Sequence, residues 1–163
     1  MKPGSLPLLL ALLGAALPAA AQDIVRHKIP GSDFPIAQAV TLPPNATIHF
    51  ISGQVPPVVD KSAPGDSLAA FGNTKQQTVG VLNKIREILA GMGLGMGDVV
   101  KMQVFLVGDP ARGGKGDVAG FMEGYTQFFG GAQPNLPARA VVQVAALSNP
   151  GWLVEIEVVA AKK

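Results

Sequence analysis

Apolar residues change their spacing along this chain, and the order of the changes limits what it can fold into. Over residues 67–90, Phe71, Thr78, Leu82, Ile85 and Leu89 recur at intervals of three, four and seven. That spacing puts them on one face of a helix. Lys75, Gln76, Asn83 and Arg86 fall away from that face. Asp66 or Ser67 can cap its start and Gly91 can end it. The period then drops to two. Between Asp98 and Val107, Val100, Met102, Val104 and Leu106 alternate with Val99, Lys101, Gln103 and Phe105, the mark of a strand. A second helical stretch, Val118 to Phe129, has Asp117 as cap and Gly130-Gly131 as terminator. Two strands follow, Pro137 to Leu147 and Trp152 to Ala160, around the turn tetrad Ser148-Asn149-Pro150-Gly151. Earlier in the chain, Thr47 to Ile51 reads as a strand of β-branched and aromatic residues. Short extended pieces broken by Pro30, Gly31, Pro35, Pro43 and Pro44 precede it.

The resulting order, β-β-α-β-α-β-β, does not alternate as a doubly wound parallel sheet requires. It predicts an α+β domain with two helices on one face of a mixed sheet. On the last strand, Val154, Ile156 and Val158 point one way and Leu153, Glu155, Glu157 and Val159 the other. Neither set makes a good water-facing surface. The pattern therefore predicts self-association over the uncovered sheet face.

Residues 1–21 read differently from the rest. Lys2 is their only charge, an apolar stretch follows from Leu8 to Ala16, and Ala19-Ala20-Ala21 supplies small residues before polar Gln22-Asp23. This is the layout of a signal peptide. The run from Leu8 to Ala21 falls short of the ~20 residues that span a bilayer. The expectation is an exported protein, periplasmic or secreted, cleaved near Ala21, with residues 22–163 as a single domain and no membrane attachment. Without Lys2, 12 basic residues face 11 acidic ones. That balance argues against a nucleic-acid partner, which calls for clustered positive charge. The absence of cysteine excludes disulfides, thiol nucleophiles, cysteine-ligated zinc and iron–sulfur clusters.

His27 and His49, the only histidines, have no metal-ligand spacing, and no GxSxG marks a serine hydrolase. Gly91, Gly93, Gly95 and Gly97 alternate, but they follow a helix and precede a strand. A phosphate loop needs the reverse order, so they read as a flexible connection. Arg139 is more informative. It opens a strand otherwise made of Ala, Val and Gln. Its fork of donors calls for a carboxylate or phosphate, either from a ligand or from Glu155 or Glu157. These two glutamates share one face of the terminal strand, where at least one is expected to be partly buried and able to exchange protons. A simple hairpin of the last two strands would set Ala145 opposite Val154 and Arg139 opposite Ala160. Arg139 and Glu155 would then stand about 16 Å apart along the ladder. Either the strands pair differently, or the two side chains meet across a subunit boundary.

Several ordered segments carry a resemblance. Pro137-Ala138-Arg139-Ala140-Val141-Val142-Gln143-Val144-Ala145-Ala146-Leu147, followed by Val154-Glu155-Ile156-Glu157-Val158-Val159-Ala160, resembles the terminal signature of the Rid (YjgF/RidA-like) family. Ile51-Ser52-Gly53-Gln54-Val55-Pro56 resembles its early SGQ(I/V)P segment, Gly97-Asp98-Val99-Val100-Lys101 its GD(I/V)VK strand start, and Tyr125-Thr126-Gln127-Phe128-Phe129 its Y-x-x-F-F helix end. The resemblance implies a chorismate-mutase-like fold and a homotrimer with clefts between subunits. It implies hydrolysis of reactive enamines and imines, such as 2-aminoacrylate and 2-iminopropanoate, to 2-keto acids and ammonia, with no metal or organic cofactor. It puts the substrate-gripping arginine on Arg139 and the water-positioning glutamate on Glu155. Ser52, Gly53, Ile36, Ala140 and Val141 fall on cleft positions. Ile36 stands where many members carry tyrosine, and Val141 where many carry cysteine. The Gly108–Gly116 loop is longer than usual and adds Arg112 and Lys115 near a cleft wall. The expected ligand is a small 2-imino acid or another small carboxylate. The alternative is a non-catalytic trimer that binds small carboxylates or protein partners through the same cleft. Glu155 separates the two, because hydrolysis needs it and anion binding does not.

Overall fold

The computed structural model describes residues 23–163, so the leader read in residues 1–21 lies outside the described residues. The elements run β1 (Val25–Lys28), β2 (Ala37–Thr41), β3 (Thr47–Gln54), α1 (Leu68–Phe71), α2 (Thr74–Gly91), β4 (Val99–Asp109), β5 (Lys115–Gly116), α3 (Val118–Tyr125), β6 (Ala138–Val144) and β7 (Val154–Lys162). The main sheet has the order β1-β2-β6-β4-β7-β3, with β5 folded back on the end of β4. β6 runs parallel to β4 and β2, while β7 is antiparallel to β4 and β3. This is the expected α+β architecture with a mixed sheet.

One sheet face is covered by the helices. Met102, Val104 and Leu106 of β4 and Val154, Ile156 and Val158 of β7 are buried there against Val81, Leu82, Ile85 and Leu89 of α2 and Phe121 and Tyr125 of α3. The helical face read from Thr78, Leu82, Ile85 and Leu89 is thus the core face. The opposite sheet face carries Phe50, 82% exposed, with Ile48 and Val142 also exposed.

Three local expectations are corrected. The helix expected over 67–90 is broken. Gly72 takes a left-handed φ of 81°, ending α1 after one turn. Asn73 then starts α2 with a capping box: its side chain accepts from the Gln76 N–H, and the Gln76 side chain accepts from the Asn73 N–H. Likewise α3 ends at Tyr125 rather than Phe129, and turns lead to Gly130 and Gly131, both at positive φ.

The third correction matters most for the site. β6 and β7 do not form a hairpin, because β4 lies between them. Arg139 is opposite Met102, and Val154 is opposite Leu106. The tetrad does turn, with the Trp152 N–H bonded to the Asn149 carbonyl, but the turn is drawn toward the helices. Asn149 Nδ2 donates to the Gly65 carbonyl. Gln77, fully buried, donates to the carbonyls of Gly72 and Gly151 and accepts from the Leu153 N–H. These bonds carry the chain over the end of β4, so that β7 lands on its far side.

Candidate functional site

Arg139 is the second residue of β6, and its register with buried Met102 turns its side chain to the helix side of the sheet. There it meets an aromatic enclosure. The guanidinium lies 4.2 Å from the Tyr125 ring centroid, 5.1 Å from Phe121 and 5.5 Å from Phe34. Cations sit favourably over such ring faces. Tyr125 is held in turn, donating its hydroxyl to the Pro35 carbonyl at 2.8 Å and stacking on Phe129. Phe121 and Tyr125 come from α3 one turn apart, with Met122 between them.

The polar contacts of Arg139 are sparse. Nη2 donates to Met122 Sδ at 3.3 Å, and Nη1 is buried without a hydrogen-bond partner. Among the described residues Arg139 forms no ion pair, so neither Glu155 nor Glu157 neutralises it. Burial holds its pKa below the usual arginine value, an effect that Tyr125 partly offsets. Burial pushes the Tyr125 phenol up to about 12, against the opposing pull of Arg139. A partly desolvated cation with Nη1 unpartnered and Nη2 on a weak sulfur acceptor is suited to an anionic oxygen ligand.

Arg139 and Ile36 border an open hollow of about 410 Å³ whose walls also include Ile29, Ala37, Gln38 and, from the sheet face away from the helices, Lys101, Ala138 and Ala140. Val141 follows Arg139 on the helix side of β6, opposite Val104 and half-buried against the core. Ala140 faces the other way, in register with Gln103.

Glu155 belongs to a different place. It is opposite Phe105, on the sheet face away from the helices, and is half-buried, whereas Glu157 is exposed. A bulge in β3 sets its neighbours: Ile51 is opposite Val158 but Gln54 is opposite Ile156, so Ser52 and Gly53 share the space of one residue. The Glu155 carboxylate rests against Gly53, occupying the position a Cβ would take. Exposed Ser52 lines a groove of about 190 Å³ with Phe50, Lys101, Gln103 and Glu157.

The expected site residues therefore form two half-sites. Arg139, Ile36 and Val141 make one; Glu155, Gly53 and Ser52 make the other. Two strand spacings and three residues of register separate Arg139 from Glu155 by about 14 Å, in place of the hairpin ladder expected. The enclosing side chains Phe34, Phe121, Met122 and Tyr125 were not read as site residues, since Phe121 and Tyr125 show only the spacing of a core face. The Gly108–Gly116 loop lies at the far end of β6 from Arg139. Gln143 fastens it by donating to the Gly114 carbonyl and accepting from the Gly116 N–H, and Arg112 pairs with Asp117 at 3.0 Å. His27 bonds Thr41 on an outer strand, and His49 is half-buried in β3.

Comparisons with known proteins converge. A family model described as endoribonuclease L-PSP matches residues 31–162. A protein of Escherichia coli K12 named as a reactive intermediate deaminase, TdcF, is 32% identical over 140 residues, covering 85% of this chain and 95% of its own. A RutC family protein of Pyrococcus abyssi is 31% identical over 144 residues, covering 88% of this chain and 99% of its own. The crystal structure of Escherichia coli TdcF with bound serine superposes with a TM-score of 0.56 at 31% identity, over 87% of this chain and 99% of that one. A Rid-family structure from Yersinia pestis superposes with a TM-score of 0.60 at 26% identity, over 86% and 100% of the two chains.

Proposed function

The chain belongs to the endoribonuclease L-PSP family, which holds the YjgF and Rid proteins, and from that premise we propose that it hydrolyses reactive 2-imino and 2-enamino acids to 2-keto acids and ammonia. The observation that carries this reading is the half-buried Arg139 guanidinium, which forms no ion pair among the described residues and whose buried Nη1 has no partner. A substrate carboxylate accepts its two parallel donors and is oriented by them. The TdcF structure with bound serine supports a small amino-acid-like ligand.

The protonated imine carbon is already electrophilic, so water needs placement more than activation. Glu155 takes the proton of the attacking water, and the tetrahedral intermediate collapses by expelling ammonia, to which that proton is passed. One water is consumed, and the C=N bond becomes C=O. Because Arg139 and Glu155 face opposite sides of one sheet, the site needs Arg139 from one subunit and Glu155 from the next. A homotrimer with clefts between subunits meets that need, and the exposed Phe50, Ile48 and Val142 supply an apolar face for association. The second reading is a non-catalytic trimer that binds small carboxylates or protein partners through the same cleft, anchored by Arg139 without any hydrolytic role for Glu155. The leader in residues 1–21 completes the proposal: the working protein is exported after cleavage near Ala21. Intact mass of the secreted protein tests that part, and a chain retaining residues 1–21 overturns it.

The central test is ammonia release from freshly generated 2-iminopropanoate. Arg139→Ala and Glu155→Ala should each lose about a hundredfold or more in kcat/KM. Equal rates in wild type and both variants overturn the reading.

A further inference from the structure

Thioether sulfur is a weak hydrogen-bond acceptor. In this protein, Met122 Sδ accepts from Arg139 Nη2 at 3.3 Å, with the Tyr125 side chain beside the same guanidinium. Nη2 is thus held by a group that an incoming carboxylate displaces at little cost, while Nη1 is buried and unpartnered. Met122 is half-buried at the edge of the core. The chain has no cysteine to intercept an oxidant. Of the other described methionines, Met96 is 8% and Met102 0% exposed, and Met92, 44% exposed, stands at the end of α2.

We propose that Met122 is an oxidation-sensitive element of the Arg139 site: its sulfoxide captures the guanidinium and closes the site to carboxylates. A hydroperoxide delivers one oxygen to the sulfur. Its O–O bond breaks, an S=O bond forms, the sulfur is oxidised by two electrons, and the peroxide leaves as an alcohol or water. The product oxygen is a far stronger acceptor than the thioether and carries no mobile charge. It sits beside Nη2 and within reach of the unpartnered Nη1. A substrate carboxylate must then break a good hydrogen bond that the reduced site lacks. Enzymatic reduction of the sulfoxide reverses the change. The inference rests on reading Arg139 as the carboxylate anchor.

The test uses a Met92→Leu background, hydroperoxide treatment, and peptide mass mapping to locate the sulfoxide. Calorimetry with pyruvate, a 2-keto acid product, reads the site. Oxidation at Met122 should weaken pyruvate binding about tenfold or more, and methionine sulfoxide reductase should restore it. Met122→Leu should bind pyruvate equally before and after treatment. Unchanged affinity with Met122 oxidised overturns the proposal. Should the reduced protein bind no pyruvate, the deaminase reading falls, and guanidinium capture is then read from the melting midpoint without ligand. Oxidation of Met122 should lower that midpoint less in the parent than in Arg139→Leu, where the sulfoxide has no donor to meet. Equal losses in both overturn capture.

Discussion

Arg139 and Glu155 lie on opposite faces of one sheet, one among the aromatic rings of α3 and the other against the bulged β3 backbone. No side-chain rearrangement brings them together within a chain, because the β4 backbone stands between. Each half-site is instead supported on its own terms: Arg139 by burial without a counter-ion, Glu155 by a glycine that leaves room for its carboxylate.

If each working site joins two subunits, inactive variants should rescue one another. Arg139→Ala and Glu155→Ala, unfolded together and refolded as a mixture, should recover up to about a quarter of wild-type ammonia release, the share of sites that pair an intact arginine with an intact glutamate. Neither variant refolded alone should regain activity. A mixture as inactive as its parts would place both residues in the same subunit's site.

Gly53→Ala tests the seat of Glu155. The Gly53 backbone has no positive φ, so alanine is conformationally tolerated there, but its Cβ meets the Glu155 carboxylate. Displacing that carboxylate should lower kcat about tenfold while KM for the imino acid changes little, since Arg139 still holds the substrate. An unchanged kcat would remove Gly53 from any positioning role.

Tyr125 makes stability fall in alkali. Burial raises its pKa to about 12, above the ordinary tyrosine value. The folded state therefore keeps the proton after the unfolded state has lost it, and stability present below pH 10 drains away as pH rises toward 12. The loss should reach about 2–3 kcal/mol over that interval. Tyr125 is the only tyrosine, so phenolate absorbance reports this one group, and urea midpoints at successive pH values give the energy. A phenolate titration midpoint near pH 10 in the native protein would contradict the buried placement.

Gln77→Leu tests the bonds that steer β7 past β4. The substitution leaves the Leu153 N–H and the Gly72 and Gly151 carbonyls without their buried partner. The expected cost is about 3–5 kcal/mol in urea unfolding, well above a typical single hydrogen bond. A loss below about 1 kcal/mol would mean that packing alone fixes the turn.

Much of the framework was legible because burial writes its period into the sequence. The alternation in β4 and the Thr78–Leu82–Ile85–Leu89 stripe led directly to the core. The break at Gly72 was also written, in the Gly-Asn pair and the Gln three residues after Asn73, but the apolar stripe continues across it through Phe71 and masks the signal. The pairing of β6 and β7 was not legible. A strand alternates identically whether its neighbour is the next strand or an earlier one inserted between, and the tetrad at 148–151 is a genuine turn. What redirects it is buried Gln77, more than seventy residues away, which no local pattern connects to Gly151. The site divides in the same way. Arg139 stood out because a charged residue interrupts an apolar strand. Its enclosure did not, because Phe34, Phe121 and Tyr125 look like ordinary core residues until the fold turns their ring faces toward a cation.

The insertion of β4 also sets the order in which the protein can assemble. β3 is made early, yet its only strand partner among the described residues is β7, at the other end of the sequence. Until β7 docks, β3 has no ladder and one edge of β4 stays bare. Non-local pairing of this kind makes folding slow, since a long loop must close before its contacts repay the lost entropy. The last strand acts as a closing stitch, and a nascent chain that lacks it presents exposed edges that invite pairing with other chains.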